Sequence, residues 1–394
     1  PGRNSPTESR TRVTAQMPQT PTPARRGKSY RPGRGLKITS AILLAFLVLI
    51  VLNALALDNE SEPAALTIDG AQLVNTTSGS LQVVDTTAPT SAEASLQSLP
   101  IVLVHGSGSA INWWDELIPL LSPSHRVVAI DMLGYGGSAK PKSGYSIETQ
   151  ASLVAQVLAK LGIERTVAVG HSLGGEVVTS LAEQAPDLVA GVTLIDMAPD
   201  DSSYGGLGGA AKASQWPMLG QAFWRIAPDF VIRRNISRAF APGYNVSDKY
   251  VDDVKAMTYP AFNGSYTASA DFTDAVPLDQ RLQKIAVPLL VIFGEEDQIF
   301  SARESISAFA AIPGVETLLI PGVGHSPQVE APEKTAAAIR RFATSLAPEP
   351  EPAPKPAPKP NLNQNSKQDK QKAGQKQKKQ GAKKNQSAGK QNGQ

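Results

Sequence analysis

Six short runs of consecutive apolar residues lie between residues 101 and 320, and each has the length of one β-strand. A strand that is covered on both faces shows such a continuous run, without the alternation of a half-exposed strand. The runs are residues 101–104, 127–130, 166–169, 192–195, 289–293 and 317–320. They predict six buried strands of a mostly parallel sheet.

Stretches with helical periodicity separate these runs. The predicted helices are residues 114–121, 148–161, 176–184, 303–311 and 332–346. Strands that alternate with helices specify the α/β class with a doubly wound, mostly parallel sheet. The alternation stops between residues 200 and 284, which contain many aromatic residues and no apolar run of strand type. We expect this insertion to form a helical cap over the carboxyl ends of the strands, where open α/β sheets bind ligands.

Residues 38–57 form a twenty-residue apolar stretch without a charged side chain. A helix of this length spans about 30 Å, the thickness of the hydrocarbon core of a bilayer. Basic residues precede the stretch and acidic residues follow it, so the positive-inside rule predicts a cytoplasmic N-terminus and an extracytoplasmic main domain. The stretch is therefore predicted to be a single-pass anchor. The alternative is a long signal peptide, cleaved near residues 54–56, that releases a secreted protein.

Charge divides the rest of the chain into a body and two tails. Residues 1–37 contain nine basic side chains and one acidic one, and residues 347–394 contain eleven lysines and three acidic side chains. Both segments are too polar to offset the entropy of ordering, so both are predicted to be disordered. Residues 58–98 are predicted to be a stalk that leads into the fold, with strand-like pieces at 65–68 and 81–84. The α/β domain then covers residues 99–346.

The pentapeptide Gly-His-Ser-Leu-Gly at residues 170–174 stands between a predicted strand and a predicted helix. This Gly-x-Ser-x-Gly pattern is typical of a nucleophile elbow, in which a sharp turn exposes the serine hydroxyl at a helix N-terminus. A plain glycine-rich turn is the alternative for the pentapeptide by itself. The elbow reading makes Ser172 the candidate nucleophile. The chain has no cysteine, which excludes a cysteine nucleophile, cysteine metal ligands and disulfides.

A serine nucleophile needs a base, and the chain has four histidines. His171 lies inside the elbow and should point away from the exposed face of the serine. His125 is predicted to lie in a surface turn, and His105 ends the first apolar run. His325 follows the last predicted strand in a glycine-rich loop, at the same sheet edge as the elbow. His325 is therefore the predicted base.

The base in turn needs a carboxylate that fixes its tautomer and stabilises the imidazolium. Asp297 follows the fifth apolar run at the correct edge and is the preferred acid. Asp196, at the end of the fourth run, is the reserve candidate. Backbone N–H groups of Ser107, in the glycine-rich loop after the first run, and of Leu173 are the predicted oxyanion donors. Trp113 and Trp114 are candidates for walls of the substrate pocket or for core packing.

These motifs together resemble the α/β-hydrolase superfamily in its cap-bearing branch, from about residue 100 to residue 346. The matching stretches are residues 101–106, 131–138, 170–175, 293–297 and 324–330. The branch includes C–C bond hydrolases, cofactor-free haloperoxidase/esterases, epoxide hydrolases and haloalkane dehalogenases. The resemblance implies the roles given above for Ser172, Asp297, His325, Ser107 and Leu173. Because dehalogenases and epoxide hydrolases of this branch carry aspartate at the nucleophile position, those two activities are disfavoured. The resemblance weakens before residue 100, where the usual first hairpin looks poorly formed.

The expected function is that of a membrane-anchored serine hydrolase acting on small-molecule or lipid-like carboxylic esters, without a cofactor or metal. C–C bond hydrolysis or perhydrolysis by the same triad is one alternative. A catalytically inert binding or scaffold module is another. The lysine-rich tail suggests a non-specific contact with a polyanion, although a merely solubilising tail explains the composition equally well. Specific nucleic-acid binding is not expected, because that tail has no aromatic side chain to stack on bases.

Overall fold

The computed structural model describes residues 34–86, 98–204 and 216–347. The two predicted disordered tails lie outside these ranges, apart from residues 34–37 and 347. The described residues form one eight-stranded sheet with helices packed on both faces, which confirms the predicted α/β fold.

The sheet follows the strand order β1-β2-β4-β3-β5-β6-β7-β8. Its strands are β1 (Gln72–Thr76), β2 (Gly79–Asp85), β3 (Ile101–Val104), β4 (Val127–Ile130), β5 (Thr166–His171), β6 (Val189–Ile195), β7 (Leu289–Gly294) and β8 (Glu316–Ile320). The strands from β3 to β8 pair in parallel, and β2 pairs antiparallel with β1 and with β4. The order reverses between β3 and β5, so a crevice is expected at their carboxyl ends.

A well-formed hairpin precedes the parallel strands, where the sequence predicted mostly stalk. β1 and β2 pair over five residues, and β2 also pairs with β4, which joins the hairpin to the parallel strands. The strand-like piece predicted at 81–84 lies in β2, but no strand forms at 65–68. β1 was missed because it is an edge strand in which Val74 alone is buried, so it lacks a continuous apolar run.

The predicted helices of the main domain form with shifts of a few residues, except the first. Residues 111–121 contain a short 3₁₀ turn (Ile111–Trp114) and α2 (Ile118–Leu121) instead of one helix. The other helices outside the cap are α1 (Arg34–Asp58), α3 (Ile147–Lys160), α4 (Leu173–Gln184), α10 (Ala302–Phe309), α11 (Pro327–Glu330) and α12 (Pro332–Ser345).

The described residues between β6 and β7, in the segment that the sequence assigned to a cap, contain five α-helices. They are α5 (Leu219–Ile226), α6 (Asp229–Ile236), α7 (Asp248–Lys255), α8 (Tyr259–Ala275) and α9 (Leu278–Ile285). The described part of this segment forms no strand apart from one isolated bridge residue, Tyr204. Side chains of α7 and α8 bond to residues near the carboxyl ends of β3 and β5, so the cap covers that edge of the sheet.

Apolar side chains cover both faces of the sheet. Along β3, Val102 and Val104 belong to one buried cluster, whereas Ile101 and Leu103 belong to the other. This alternation places the two clusters on opposite faces, as expected for a strand without an exposed side.

Helix α1 precedes the sheet and packs against the cap through its C-terminal end. Among the described helices it is the one that is long and apolar enough to cross a membrane, over Lys37–Asp58. Most of its surface is exposed, but Ala54 and Leu57 are buried. It packs against α5 and α8, and Asp58 accepts a 3.0 Å hydrogen bond from Gln221 of α5.

Candidate active site

Ser172 occupies a strained turn between β5 and α4. Its backbone has φ 48° and ψ −124°, a region that residues with a side chain rarely adopt. Its N–H donates to the carbonyl of Ile195 at 2.9 Å, and its own carbonyl accepts from Gly175 at 2.7 Å. These bonds hold the strained residue in place, and the turn directs its side chain into a cavity.

The flanking glycines make this turn possible because backbone atoms approach them very closely. A Cβ on Gly170 would lie 2.2 Å from the carbonyl oxygen of Gly174. A Cβ on Gly174 would lie 2.1 Å from the carbonyl oxygen of Val104 on β3. Any side chain at either position would therefore force the elbow away from the sheet.

His325 is buried in the loop between β8 and α11, and its Nδ1 lies 2.8 Å from Oδ2 of Asp297. The other carboxylate oxygen of Asp297 accepts hydrogen bonds from the N–H groups of Ile299 at 2.7 Å and Phe300 at 3.2 Å. The carboxylate is thus fixed by its own loop, and an ionised carboxylate requires the proton of His325 to be on Nδ1. Nε2 is then left as the basic nitrogen.

Asp196, the reserve acid, lies close by but has a different partner. One of its oxygens accepts a 3.0 Å bond from the N–H of Gly294. Complete burial, followed by the nearby charge of Asp297, raises the pKa of Asp196 well above its usual value. Polar atoms of Asp196, Asp297 and His325 lie within 4.8 Å of one another, a spacing that could hold a metal ion. Because a cation there would displace the bond between His325 and Asp297, we assign the group to proton chemistry.

A cavity of about 200 Å³ brings together most of the predicted site residues. Its lining includes Ser172, His325, Ser107, Leu173 and Trp113. Trp114 does not line this cavity. It is fully buried in the apolar cluster that contains β3 and α12, so of its two predicted roles the structure shows core packing.

The two predicted oxyanion donors meet at the switch point of the sheet. β3 and β5 are neighbours, with Val104 paired to Gly170, so the loop of Ser107 lies beside the elbow. Leu173 is the first residue of α4, where the helix dipole favours negative charge. Within the described residues, no hydrogen bond uses the backbone N–H of Ser107 or Leu173, so both are available to an anionic oxygen.

A family model described as the alpha/beta hydrolase fold matches residues 100–332, which is more than half of the chain. This chain belongs to the α/β-hydrolase fold family. The sequence left the first hairpin in doubt, but β1 and β2 form it as part of the eight-stranded sheet.

Individual relatives of this α/β-hydrolase are distant. An uncharacterized protein of Mycobacterium tuberculosis is 29% identical over 269 residues, which cover 63% of this chain and 76% of the relative. A 2-hydroxymuconate semialdehyde hydrolase of Pseudomonas is 27% identical over 257 residues, or 62% of this chain and 86% of the relative. The structure of a thermophilic esterase from Thermogutta terrifontis superposes with a TM-score of 0.58 at 24% identity and covers 71% of this chain and all of the esterase. That last likeness concerns the fold.

The remaining histidines of the hydrolase have structural partners. His171 Nε2 bonds to the backbone carbonyl of His325 at 2.7 Å, and its ring packs near Trp113. Burial lowers the pKa of His171 well below its usual value, so it is a neutral donor that positions the base loop. His125 is not in a surface turn as predicted. It is buried, with Nδ1 2.9 Å from the carbonyl of Leu99. His105 is fully buried and accepts from the N–H of Met132 at 3.1 Å.

Sequence reasoning missed a polar wall of the cavity that Ser172 lines. Glu176, one turn after Ser172 on α4, is buried and accepts a 2.6 Å bond from Ser269 of cap helix α8. Ser265, on the same helix, lines the same cavity. Its hydroxyl lies beside that of the buried Tyr135. The signal in the sequence was Glu176 itself, a charged residue type on the buried side of the helix that follows the elbow.

A second, larger cavity of about 500 Å³ adjoins the first in this hydrolase. Both cavities are lined by Ser107, Trp113, Ala239 and Ile299. The rest of the larger cavity is mainly apolar and formed by α5, α6 and their neighbours. The site therefore has a polar wall on one side and an apolar extension on the other.

Proposed function

We propose that this chain is a membrane-anchored serine hydrolase that cleaves carboxylic esters through an acyl-enzyme. The observation that carries the proposal is that a strained serine at a helix N-terminus and a histidine bonded to a fixed carboxylate line the same cavity. Backbone strain of this kind is retained where function requires it.

In the acylation step, Ser172 Oγ attacks the ester carbonyl and passes its proton to Nε2 of His325. The N–H groups of Ser107 and Leu173 stabilise the oxyanion of the tetrahedral intermediate. Asp297 stabilises the imidazolium through Nδ1. The C–O bond to the alcohol then breaks, and the imidazolium donates its proton to the leaving oxygen.

Deacylation repeats these roles with water as the nucleophile. His325 Nε2 removes a proton from water as the water attacks the acyl carbon. The second tetrahedral intermediate collapses, the acid is released, and the proton returns to Ser172 Oγ. The steps consume one ester and one water and yield one acid and one alcohol.

The test compares the wild-type protein with Ser172→Ala. A fluorophosphonate reagent should label the wild-type protein and leave the variant unlabelled. Turnover of p-nitrophenyl butyrate should fall by roughly 10⁶-fold in the variant, as for serines of other triads. A wild-type protein that neither reacts with the reagent nor cleaves the ester would support the inert binding module instead.

A second candidate is hydrolysis of a C–C bond in a vinylogous diketone. The likeness to a 2-hydroxymuconate semialdehyde hydrolase favours it. In this reaction the leaving group is a delocalised carbanion, which must be protonated. Comparing kcat/KM for this semialdehyde with that for p-nitrophenyl butyrate separates the two: a much higher value for the semialdehyde would replace the ester proposal.

The anchor and the tail complete the proposal. Residues 38–57 cross the membrane with the N-terminus in the cytoplasm, so the hydrolase domain and the lysine-rich tail lie outside. The tail contacts an acidic polymer or acidic headgroups. Protease added to intact cells should degrade the domain of an uncleaved, membrane-bound chain. Recovery of the domain from the medium would support the cleaved signal peptide.

A further inference from the structure

Six large apolar side chains are exposed in one stretch of the cap. We call these residues the cap patch. Its members are Trp216, Met218, Leu219, Phe223, Ile226 and Phe230. Ile226 and Phe230 are each 72% exposed. An exposed apolar cluster of this kind marks an interaction site.

Helix α1 places the cap patch beside the end of the proposed membrane span. Ala54 and Leu57 of α1 are buried, and α1 packs against α5, which carries half of the cap patch. The bond between Asp58 and Gln221 fixes α5 next to the last residue of α1. Because residues 38–57 would fill the hydrocarbon core, α5 would lie at its outer boundary.

The helical rise gives the depth of this contact. Ala54 lies three residues before Leu57, or about 4.5 Å along the axis at 1.5 Å per residue. Interfacial helices bury their apolar face about 5–10 Å into the boundary between headgroups and acyl chains. The contact on α1 therefore extends almost to the shallow end of this range. Arg225 on α5 and Arg234 on α6 are exposed on the helices that carry most of the cap patch. Cationic side chains at these positions can reach anionic headgroups.

The cap patch also borders the larger cavity. Phe223 and Ile226 belong to the patch and line that cavity, whereas Ser107 and Trp113 line its other end. One apolar space therefore extends from the exposed cap surface to the loop that carries a proposed oxyanion donor. Its volume of about 500 Å³ is within the range of small-molecule binding pockets.

We propose that the cap patch docks into the outer surface of the bilayer that α1 crosses, and that the larger cavity receives the acyl chain of a membrane-resident lipid ester from that surface. The docking rests on the membrane anchor of the proposed function, and the substrate route rests on its esterase activity. One measurement tests the docking and a second tests the substrate route, so that failure of either can be recognised separately.

The first measurement uses the absence of cysteine from the chain. Leu219→Cys and Phe230→Cys in the full-length protein receive a nitroxide label, and Leu73→Cys is the matched control. Leu73 is an exposed apolar residue on β1 at the far edge of the sheet. In vesicles of phosphatidylcholine and phosphatidylglycerol (3:1), the two cap labels should collide mainly with oxygen and the control label mainly with a water-soluble nickel chelate. Equal nickel accessibility at all three positions would overturn the docking.

The second measurement tests the substrate route with the double variant Leu219→Glu/Phe230→Glu and the control Leu73→Glu. Neither substituted cap residue lines a cavity described above. Hydrolysis of 4-methylumbelliferyl palmitate in the same vesicles should fall at least tenfold in the double variant and remain unchanged in the control. Hydrolysis of soluble p-nitrophenyl butyrate should remain unchanged in both, which also reports correct folding.

The outcomes separate the two proposals. A double variant that cleaves the vesicle ester at the wild-type rate would overturn the route from the bilayer. A wild-type protein that cleaves neither ester would overturn the esterase, while the label measurement would still decide the docking. Loss of butyrate hydrolysis in the double variant would indicate misfolding. The milder Phe230→Ser then replaces it, and its hydrolysis of the vesicle ester should again fall at least tenfold.

Discussion

Trp113 Nε1 donates a 2.9 Å hydrogen bond to Oδ2 of Asp253 and thereby joins a wall of the cavity around Ser172 to cap helix α7. Asn112 Nδ2 donates to the other carboxylate oxygen at 2.9 Å. Burial raises the pKa of Asp253 to about 7, against the opposing effect of these two bonds. The connection between cap and core therefore contains a group that titrates near neutral pH.

The raised pKa of Asp253 predicts that its contribution to stability falls as pH rises. Between the ordinary aspartate pKa of about 3.9 and the folded value of about 7, the folded state binds the extra proton, so the free energy of unfolding decreases across this window. Above the folded pKa the loss is complete. Asp253→Asn removes the titration, so its urea unfolding should depend less on pH between 5 and 7 than that of the wild-type protein.

The adjacent Asp252→Asn is the matched control for this experiment, because its side chain is exposed. It should retain the wild-type pH dependence. Equal slopes of unfolding free energy against pH in the wild-type protein and Asp253→Asn would show that Asp253 does not carry the linkage.

Two neighbouring acids should respond very differently to the same substitution. Asp297→Asn removes the charge that bonds to His325 Nδ1 and allows the wrong tautomer, so kcat for p-nitrophenyl butyrate should fall by about 10⁴-fold. Asp196→Asn replaces a group whose raised pKa already favours the neutral form, so kcat should change by less than about tenfold. A larger loss from Asp196→Asn would reverse the assignment of the acid.

The close approach at the elbow makes a stability prediction. Gly174→Ala would place Cβ 2.1 Å from the Val104 carbonyl oxygen and 2.7 Å from that of His105, so both contacts are with backbone. We expect a loss of more than about 3 kcal/mol in the free energy of unfolding, in the upper range of single substitutions. Gly162→Ala is the control, because it meets no atom within 4 Å and has only the strain of φ +68°, which costs about 1–2 kcal/mol. Similar losses in the two variants would contradict this reading of the elbow.

Where Glu176 is ionised, its charge should make the cavity reject anionic substrates. A like charge about 6 Å away costs about 3 kcal/mol at an effective dielectric constant of 20. Glu176→Gln should therefore raise kcat/KM at least about tenfold for a p-nitrophenyl hemisuccinate relative to the neutral butyrate ester. Glu183→Gln, at the far end of the same helix, should leave this ratio unchanged. An unchanged ratio in Glu176→Gln would exclude electrostatic selection by this residue.

Sequence reasoning succeeded where one local pattern decides the structure. The apolar runs of strands such as β3 and β7 and the glycines of the elbow have no other low-energy arrangement, so strand positions and the turn could be predicted. β1 could not, because one buried residue on an edge strand leaves no pattern. Asp253 and Glu176 could not be assigned either. Each bonds across the boundary between cap and core, Asp253 to Trp113 and Glu176 to Ser269, and only the tertiary fold brings these partners together.

The gap of 125 residues between Ser172 and Asp297 has a consequence for biosynthesis. The elbow and the loop of Ser107 are synthesised first, whereas the carboxylate and the histidine follow only after the whole cap. Contacts of such long sequence separation form late in folding. In the proposed membrane-anchored esterase, a nascent chain that is still crossing the membrane would therefore carry the candidate serine without its candidate base, and activity would arise only after the whole domain has folded.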